Sequence, residues 1–213
     1  SMNSKIENIK KLIENRGCQF REFRADQMAE GEDGTLTVAG KPVVFDTETL
    51  LFTDGETEVY EVIQSGCFNG AEMDDVIFNY NHSGRVYART RNESLKLNVS
   101  NEAVDMEATL YADDVGHVQL FNDIKRGLLD KMSFAFTVAA DVIEEIEKNK
   151  YRRIVTRIGR LFDVSVVDFP AYDATSISAR HDLSDRIGEM IAERAKAEAL
   201  EKAKAEYRAK RGR

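Results

Sequence analysis

The chain has 213 residues, of which 42% are hydrophobic and 32% charged, so it can form one domain with a substantial core. Its two cysteines, Cys18 and Cys67, are far apart and in no metal-ligand spacing. This excludes a zinc or iron–sulfur site built on cysteines and favours unpaired thiols in a reducing compartment. No apolar run reaches the roughly 18 residues of a membrane-spanning helix, and no apolar signal segment follows the N-terminus, so a soluble cytoplasmic product is expected.

The formal net charge of −8 is unevenly distributed along the chain. From Arg180 to Arg213, ten Lys and Arg residues stand against seven Asp and Glu residues, which gives this tail a charge of +3 and leaves −11 for the rest. An acidic body argues against nucleic acid as the main partner. The opposite sign of the tail indicates a separate segment with its own role.

The N-terminal half is predicted to begin with a helix and to continue as short strands. Residues 4–16 carry apolar side chains at helical spacing and are followed by Gly17, which is typical of a short amphipathic helix and its end. From about Phe20 to Tyr111 the pattern changes to β-type runs broken by Gly, Asp and Asn. The predicted strands are 35–38, 41–45, 59–63, 76–80, 94–99 and 104–110. Several short strands at this spacing favour a barrel or a sandwich.

The C-terminal half is predicted to return to helix twice. Residues 113–129 predict a helix that Asp113 or Asp114 caps and Gly127 ends. Strands are predicted at 131–138 and, after a charged hairpin-like excursion over 144–150, at 151–158 and 161–169, where Pro170 closes the run. Residues 183–210 predict a long helix with a thin apolar face, typical of an extended appendage. The expected division is an N-terminal extension (1–18), one main domain (19–179) and a charged C-terminal helix (180–213).

Histidine is the scarcest reactive residue, with only His82, His117 and His181. His82 directly follows an apolar strand, where a loop can present its imidazole at a sheet edge as a general base near neutral pH. An ordinary hydrogen-bonded loop histidine fits the same pattern. The other two histidines fall on predicted helices without the H-x-x-x-H spacing of a metal site, so metal-dependent hydrolysis has little support.

Ser133 opens an apolar strand directly after a helix and a turn, a suitable place for a nucleophile that a histidine can reach. Period-two alternation places Ser133 on one face of the strand and Phe134 and Phe136 on the other. The aromatic face is expected in the core, which leaves the serine on the face that can be approached. A purely structural serine at the start of a strand fits the same pattern.

Asp163 interrupts the apolar run 161–169, and a carboxylate is costly to bury without a partner. A histidine Nδ1–H would satisfy it and fix the tautomer of the ring, which is the role of the acid in a catalytic triad. An edge-strand aspartate that faces water is the alternative. Ser165, on the same face, is a candidate supporting hydrogen-bond partner. Asp168, beside a predicted turn, is a weaker candidate for such a supporting role.

The combination of these segments resembles the prohead, or capsid maturation, proteases of tailed bacteriophages, which are related in fold to the herpesvirus assemblins. The resemblance runs over about residues 35–177. It is carried by EVIQSGCF (61–68), NH (81–82), IKRG (124–127), MSFAF (132–136) and DVSVVDFPA (163–171), in that order. The chain departs from the family in having Ser83 and Ala135 where relatives usually have Asp and Gly, and Asp163 where they often have Glu.

The resemblance implies an α+β fold: an assemblin-like, mostly antiparallel β-barrel flanked by helices, with helical N- and C-terminal extensions. It implies His82 as general base, Ser133 as nucleophile and, by position, Asp163 as the third member of the triad. Herpesvirus relatives use a second histidine as the third member, but theirs follows the serine on a strand. Because His117 precedes Ser133 on a predicted helix, it is expected to be a surface histidine instead.

The expected function is therefore that of a serine endopeptidase that cleaves capsid and scaffold precursors during phage prohead maturation, with cleavage of its own termini as a further expectation. No cofactor and no metal is expected. The expected partners are the major capsid protein precursor, the scaffold protein and further copies of the chain, with no nucleic acid and no membrane. The expected location is the host bacterial cytoplasm, inside the assembling prohead. The alternative is a non-catalytic capsid assembly or scaffold-associated protein that keeps the same barrel.

Overall fold

Two β-sheets and two α-helices make up the described part of the chain, which is residues 17–22, 28–168 and 177–211 of a computed structural model, with side chains described for 28–168 and 182–208. The strands are β1 (Gly17–Glu22), β2 (Met28–Glu30), β3 (Thr35–Val44), β4 (Thr49–Asp54), β5 (Thr57–Ile63), β6 (Ile77–Tyr80), β7 (Ser83–Arg89), β8 (Leu95–Val99), β9 (Ala103–Tyr111), β10 (Lys131–Glu147) and β11 (Lys150–Val167). The helices are α1 (Val115–Lys125) and α2 (Ile177–Arg211). The helix predicted over 4–16 and the closing Pro170 lie outside the described residues.

The larger sheet has seven strands and the smaller has four. The larger runs in the order β1-β10-β11-β5-β4, with β6 paired to β11 and β7 paired to β6, and the smaller runs β2-β3-β9-β8. Only the pairings of β11 with β5 and with β6 are parallel among the described strands. The α+β class is confirmed. The two sheets do not close into a barrel in the described residues, so the barrel detail is not confirmed.

The β10–β11 hairpin is longer than the sequence pattern predicted. The predicted pieces at 131–138 and 151–158, and the predicted piece at 161–169 as far as Val167, belong to two strands of 17 and 18 residues. Residue 169 lies outside the described residues. Lys148 and Asn149 form the turn between them, with Asn149 at a φ of 62°. The great length of β11 lets one end pair with β5 and the other with β6.

Other boundaries also differ from the predicted ones. The predicted strands 35–38 and 41–45 form one strand, β3, with an irregularity between Gly40 and Val43. The pattern did not predict β4 or β7, and in β7 most side chains are exposed, so no apolar alternation marks it. Helix α1 is shorter than predicted and begins after Asp114, whose carboxylate accepts hydrogen bonds from the backbone N–H groups of Gly116 and His117.

The core has two parts. The main cluster lies between the sheets and α1 and includes Phe78, Phe134 and Phe136, which confirms the expected aromatic core face of β10. A smaller cluster packs Leu183 and Ile187, near the start of α2, against four residues of the larger sheet: Leu51, Phe52, Val59 and Tyr151.

Helix α2 therefore has a docked beginning and an exposed remainder. Met190, Ile191 and Leu200, predicted on the same apolar face as the buried pair, are exposed. The prediction of an appendage is correct for this remainder and wrong for the docked turns. No helix in the described ranges combines the length and the apolar character needed to cross a membrane.

Candidate active site

A row of polar side chains crosses three neighbouring strands of the larger sheet. Asn79 of β6 lies opposite Ser165 of β11, and Ser165 lies opposite Ser133 of β10. All three residues are buried. Because buried polar groups need hydrogen-bond partners, a row of this kind in an apolar sheet indicates a local polar network.

A tight turn places His82 next to this row of polar side chains. Tyr80 pairs with Ser83, so Asn81 and His82 form a two-residue hairpin turn between β6 and β7. Both have positive φ angles, of 52° and 55°, as a type I′ turn requires. Asparagine is common in this conformation, whereas a histidine there costs roughly 1–2 kcal/mol. Backbone strain of this kind is found where the position of a side chain matters to function.

The imidazole of His82 connects Asp163 to Ser133. Its Nδ1 lies 2.6 Å from Asp163 Oδ1, and its Nε2 lies 2.8 Å from Ser133 Oγ. An ionised carboxylate can only accept, so Nδ1 carries the proton and Nε2 accepts from the Ser133 hydroxyl. The arrangement can pass the Ser133 proton to the ring while the carboxylate holds the ring in place.

Ser165 joins the carboxylate to the polar row. Its Oγ lies 2.9 Å from Asp163 Oδ1 and 3.1 Å from His82 Nδ1, and it also contacts Asn79 Oδ1. The hydroxyl has one proton, so it donates to one of the two acceptors at a time. Only 3% of the Asp163 side chain is exposed, which excludes the water-facing alternative for this carboxylate. The structure therefore brings His82, Ser133, Asp163 and Ser165 into one cluster.

Ser133 itself differs from the expectation. The sequence pattern predicted an approachable face, yet the exposed fraction of Ser133 is 0%, whereas 20% of the His82 side chain is exposed. Both edges of β10 are paired at this point: β11 places Ser165 opposite Ser133, and β1 pairs Phe20 with it on the other edge. Alternation along a single strand gives no information about these neighbours.

Asp168 lies next to the turn rather than against the triad-like side chains. It accepts hydrogen bonds from Tyr80 Oη and, at 2.8 Å, from Asn81 Nδ2. Its own backbone N–H donates to Asn81 Oδ1 at 3.1 Å. The hydrogen bond to Asp168, followed by burial, raises the pKa of Tyr80 above its usual value of 10.

His117 is buried, so its expected surface position is wrong. Its Nδ1 accepts a hydrogen bond from the backbone N–H of Tyr111 at 3.0 Å, and the ring stacks on the Tyr111 ring. Burial lowers its pKa, which favours the neutral ring that can accept. The contact with Tyr111 gives His117 a structural role away from the cluster. The side chain of His181 lies outside the described residues.

The described side chains include no group of three or more His, Cys, Asp or Glu placed to hold a metal ion. The Cys67 thiol is free and buried, and burial raises its pKa to about 12. A thiol with so high a pKa remains protonated at neutral pH and is a poor nucleophile.

Sequence reasoning did not identify Asn79, Tyr80 and Asn81 as parts of the site. Two signals were available. Asn79 is the one polar residue in the apolar stretch 76–80, which indicates a buried partner. The pair Asn81-His82 begins with a residue that favours positive φ, which is typical of a two-residue hairpin turn.

Comparison with known proteins identifies the family of the chain. No curated protein and no solved structure shows significant similarity to the chain. The family model described as caudovirus prohead serine protease matches residues 22–190, a range that contains the whole cluster and the docked turns of α2. The chain belongs to the caudovirus prohead serine protease family.

Proposed function

We propose that the chain is a serine endopeptidase of phage capsid maturation in which Ser133 is the nucleophile, His82 the general base and Asp163 the residue that orients the base. The observation that carries this proposal is the continuous hydrogen-bond chain from Ser133 Oγ through both ring nitrogens of His82 to Asp163, with links of 2.8 and 2.6 Å. Family membership supports the same reaction class.

The reaction begins with attack of Ser133 Oγ on the carbonyl carbon of the scissile peptide bond. His82 Nε2 takes the hydroxyl proton as the new C–O bond forms. The resulting imidazolium then gives this proton to the leaving amine, the C–N bond breaks, and an acyl-enzyme remains. Water, activated by the same nitrogen, hydrolyses the acyl-enzyme and restores Ser133.

Asp163 and Ser165 are proposed to keep His82 ready for both proton transfers. The carboxylate accepts from Nδ1–H, which leaves the Nε2 lone pair free for Ser133 and stabilises the imidazolium during catalysis. Ser165, at 2.9 Å, supplies a further hydrogen bond to the same carboxylate oxygen and restricts its rotation. Asp163 is thus bonded by Ser165 of its own strand, and it bonds in turn to the His82 ring from the turn between β6 and β7.

The proposed substrates are the capsid protein precursor and the scaffold protein of the same phage, cleaved inside the assembling prohead in the host cytoplasm. Association with further copies of the chain is part of this proposal. Family membership supports these substrates, because a prohead protease meets those proteins during assembly.

The direct test is co-expression of the chain with the capsid protein precursor from the same phage. Ser133→Ala and His82→Ala should each abolish cleavage, with a loss of about 10⁴–10⁶-fold in rate. Ser100→Ala is the matched control, since Ser100 bonds only within its own loop on the smaller sheet. Full cleavage by folded Ser133→Ala protein would overturn the proposal and favour the non-catalytic assembly protein instead.

Self-cleavage of the termini is tested separately by intact mass. Purified wild-type protein and the Ser133→Ala variant are incubated side by side, and their masses are followed by mass spectrometry. Loss of terminal segments in the wild type alone would support self-processing by Ser133. Identical masses throughout would contradict self-processing without affecting cleavage of other proteins.

A further inference from the structure

We propose that Asp168 is a positioning residue for His82, acting through the backbone of the Asn81–His82 turn rather than through the imidazole ring. The inference rests on the proposed function, because it concerns how that function's base is held. The claim is that three hydrogen bonds at Asp168 maintain the strained turn from which the imidazole reaches Ser133.

The first step concerns the conformation of the turn. Asn81 and His82 both have positive φ angles, and at the second position of such a turn glycine is the usual residue. The parallel pairing of β6 with β11 reaches as far as the Asn81 N–H, which donates to the Val166 carbonyl at 2.9 Å, and Tyr80 pairs with Ser83 across the turn. Side-chain contacts add to this backbone pairing and limit how far the turn can relax and move the imidazole.

The second step concerns the contacts that hold the turn. We call the set of Tyr80, Asn81 and Asp168 the turn clasp. The Asp168 carboxylate accepts from Tyr80 and from Asn81 Nδ2 at 2.8 Å, and the Asp168 N–H donates to Asn81 Oδ1 at 3.1 Å. The Asn81 amide is therefore engaged at both ends, which fixes its side chain and, through it, the backbone.

The third step concerns where the clasp residue comes from. Asp168 directly follows β11, the same strand that supplies Asp163 and Ser165. One strand thus holds the ring of His82 through Asp163 and holds its backbone through Asp168. Because Asp163 and Asp168 lie at one end of the same strand, the distance from His82 Nε2 to Ser133 depends on the contacts of both residues. Small displacements of a reacting group lower reaction rates strongly.

The test exchanges the two polar groups of the clasp. Asp168→Asn leaves a single side-chain oxygen for the two donors, Tyr80 Oη and Asn81 Nδ2, so one of the two hydrogen bonds is lost or reversed. Asn81→Asp places two carboxylates opposite each other. The double variant N81D/D168N restores a carboxylate facing an amide, and its residue 168 still offers an oxygen to Tyr80. The control is Asp105→Asn, an exposed ion-paired aspartate on the smaller sheet.

Two readouts are measured on the full chain. The first is the rate at which a fluorophosphonate labels Ser133, followed by intact mass, with Ser133→Ala as blank. The second is the low-field ¹H NMR signal of the His82 Nδ1–H, assigned by its loss in His82→Gln. We expect Asp168→Asn to slow labelling about tenfold and Asn81→Asp to slow it further. Both should weaken the NMR signal, and the double variant should return labelling to within about threefold of wild type.

The outcomes separate this inference from the proposed function. Asp168→Asn protein with wild-type labelling and an unchanged His82 signal would overturn the positioning role, even if its melting temperature falls. A double variant no better than the worse single variant would overturn it as well. Wild-type protein that is neither labelled nor able to cleave precursor would instead overturn the proposed function, while the NMR comparison would still decide whether Asp168 positions His82.

Discussion

The two ends of the β10–β11 hairpin each hold a carboxylate, buried at Asp163 and partly buried at Asp141, but with different partners. At the site end, Asp163 bonds His82 and Ser165. At the far end, Asp141 lies between Arg153 Nε at 2.6 Å and Arg186 Nη2 at 2.9 Å. Arg153 also bonds Glu61, at 3.1 Å, and Arg186 belongs to α2.

The two carboxylates differ in the kind of cationic partner: Asp141 has arginines, which suit a structural ion pair, and Asp163 has a histidine, which suits the proposed reaction. Burial alone would raise the pKa of Asp141, but hydrogen bonds from Arg186 and Arg153 outweigh it and lower the pKa below the usual 3.8. An arginine never releases its proton near neutral pH, so it can anchor a carboxylate but cannot pass a proton on. A histidine can do both. The far end therefore docks α2, and the site end has the groups that the proposed proton transfer requires.

Asp163→Asn and Asp141→Asn should show the largest difference between the two ends of the hairpin, one in cleavage rate and the other in stability. In Asp163→Asn the amide can turn its NH₂ group toward Nδ1 and favour the wrong tautomer, so cleavage should fall by about 10⁴-fold with a modest change in stability. In Asp141→Asn the free energy of unfolding should fall, while the rate per folded molecule stays within about twofold. Precursor cleavage and urea denaturation of both variants measure this. Near wild-type cleavage by Asp163→Asn would move the orienting role to another residue.

Arg153→Met tests the far end by removing the cation that Glu61 and Asp141 share. Because the side chain of Glu61 is fully buried, the variant should lose about 3–5 kcal/mol in the free energy of unfolding. The control is Arg194→Ala, which breaks the exposed pair with Glu145 and should cost no more than about 1 kcal/mol. Equal losses in the two variants would contradict the distinction between buried and exposed pairs.

The smallest expected effect is the pH dependence that His117 brings. Its folded pKa is lowered, so below pH 6.5 the unfolded chain binds this proton more readily than the folded chain does. The stabilisation is therefore complete above pH 6.5 and is lost as the pH falls through the folded pKa. His117→Asn, whose Oδ1 can accept from the Tyr111 N–H, should flatten the fall in stability between pH 7 and pH 5. Melting temperatures of both proteins across this range check it.

The sequence could predict the chemistry of the site better than its surroundings. His82, Ser133 and Asp163 stood out because reactive side chains are rare next to apolar runs, and a buried carboxylate needs a partner. The strands around them were harder to predict, since β7 has no apolar alternation and the two buried residues of β4, Leu51 and Phe52, are adjacent rather than alternating. The distance between Ser133 and His82 depends on the pairing of β10, β11 and β6, which local periodicity does not contain.

Other properties were unpredictable because they depend on contacts between distant segments. The strand that pairs with the outer edge of β10 beside Ser133 is β1, more than a hundred residues earlier in the chain. The docking of α2 depends on an apolar patch from β4, β5 and β11, together with an aspartate in β10. His117 was expected at the surface because a helix pattern shows which side is apolar but not that β9 covers its first turn.

The complete burial of Ser133 affects the rate of any reaction at its hydroxyl, because the reacting molecule must first reach it. In the proposed reaction, a reagent or a peptide reaches Ser133 only in molecules that have opened around it, so the observed rate is the rate of the open state multiplied by its population. An opening that costs about 2.7 kcal/mol leaves about 1% of molecules competent at any moment. An enzyme that worked in this way would act on chains held beside it for a long time rather than on chains met briefly. The inside of an assembling prohead, the proposed place of cleavage, would provide such prolonged contact.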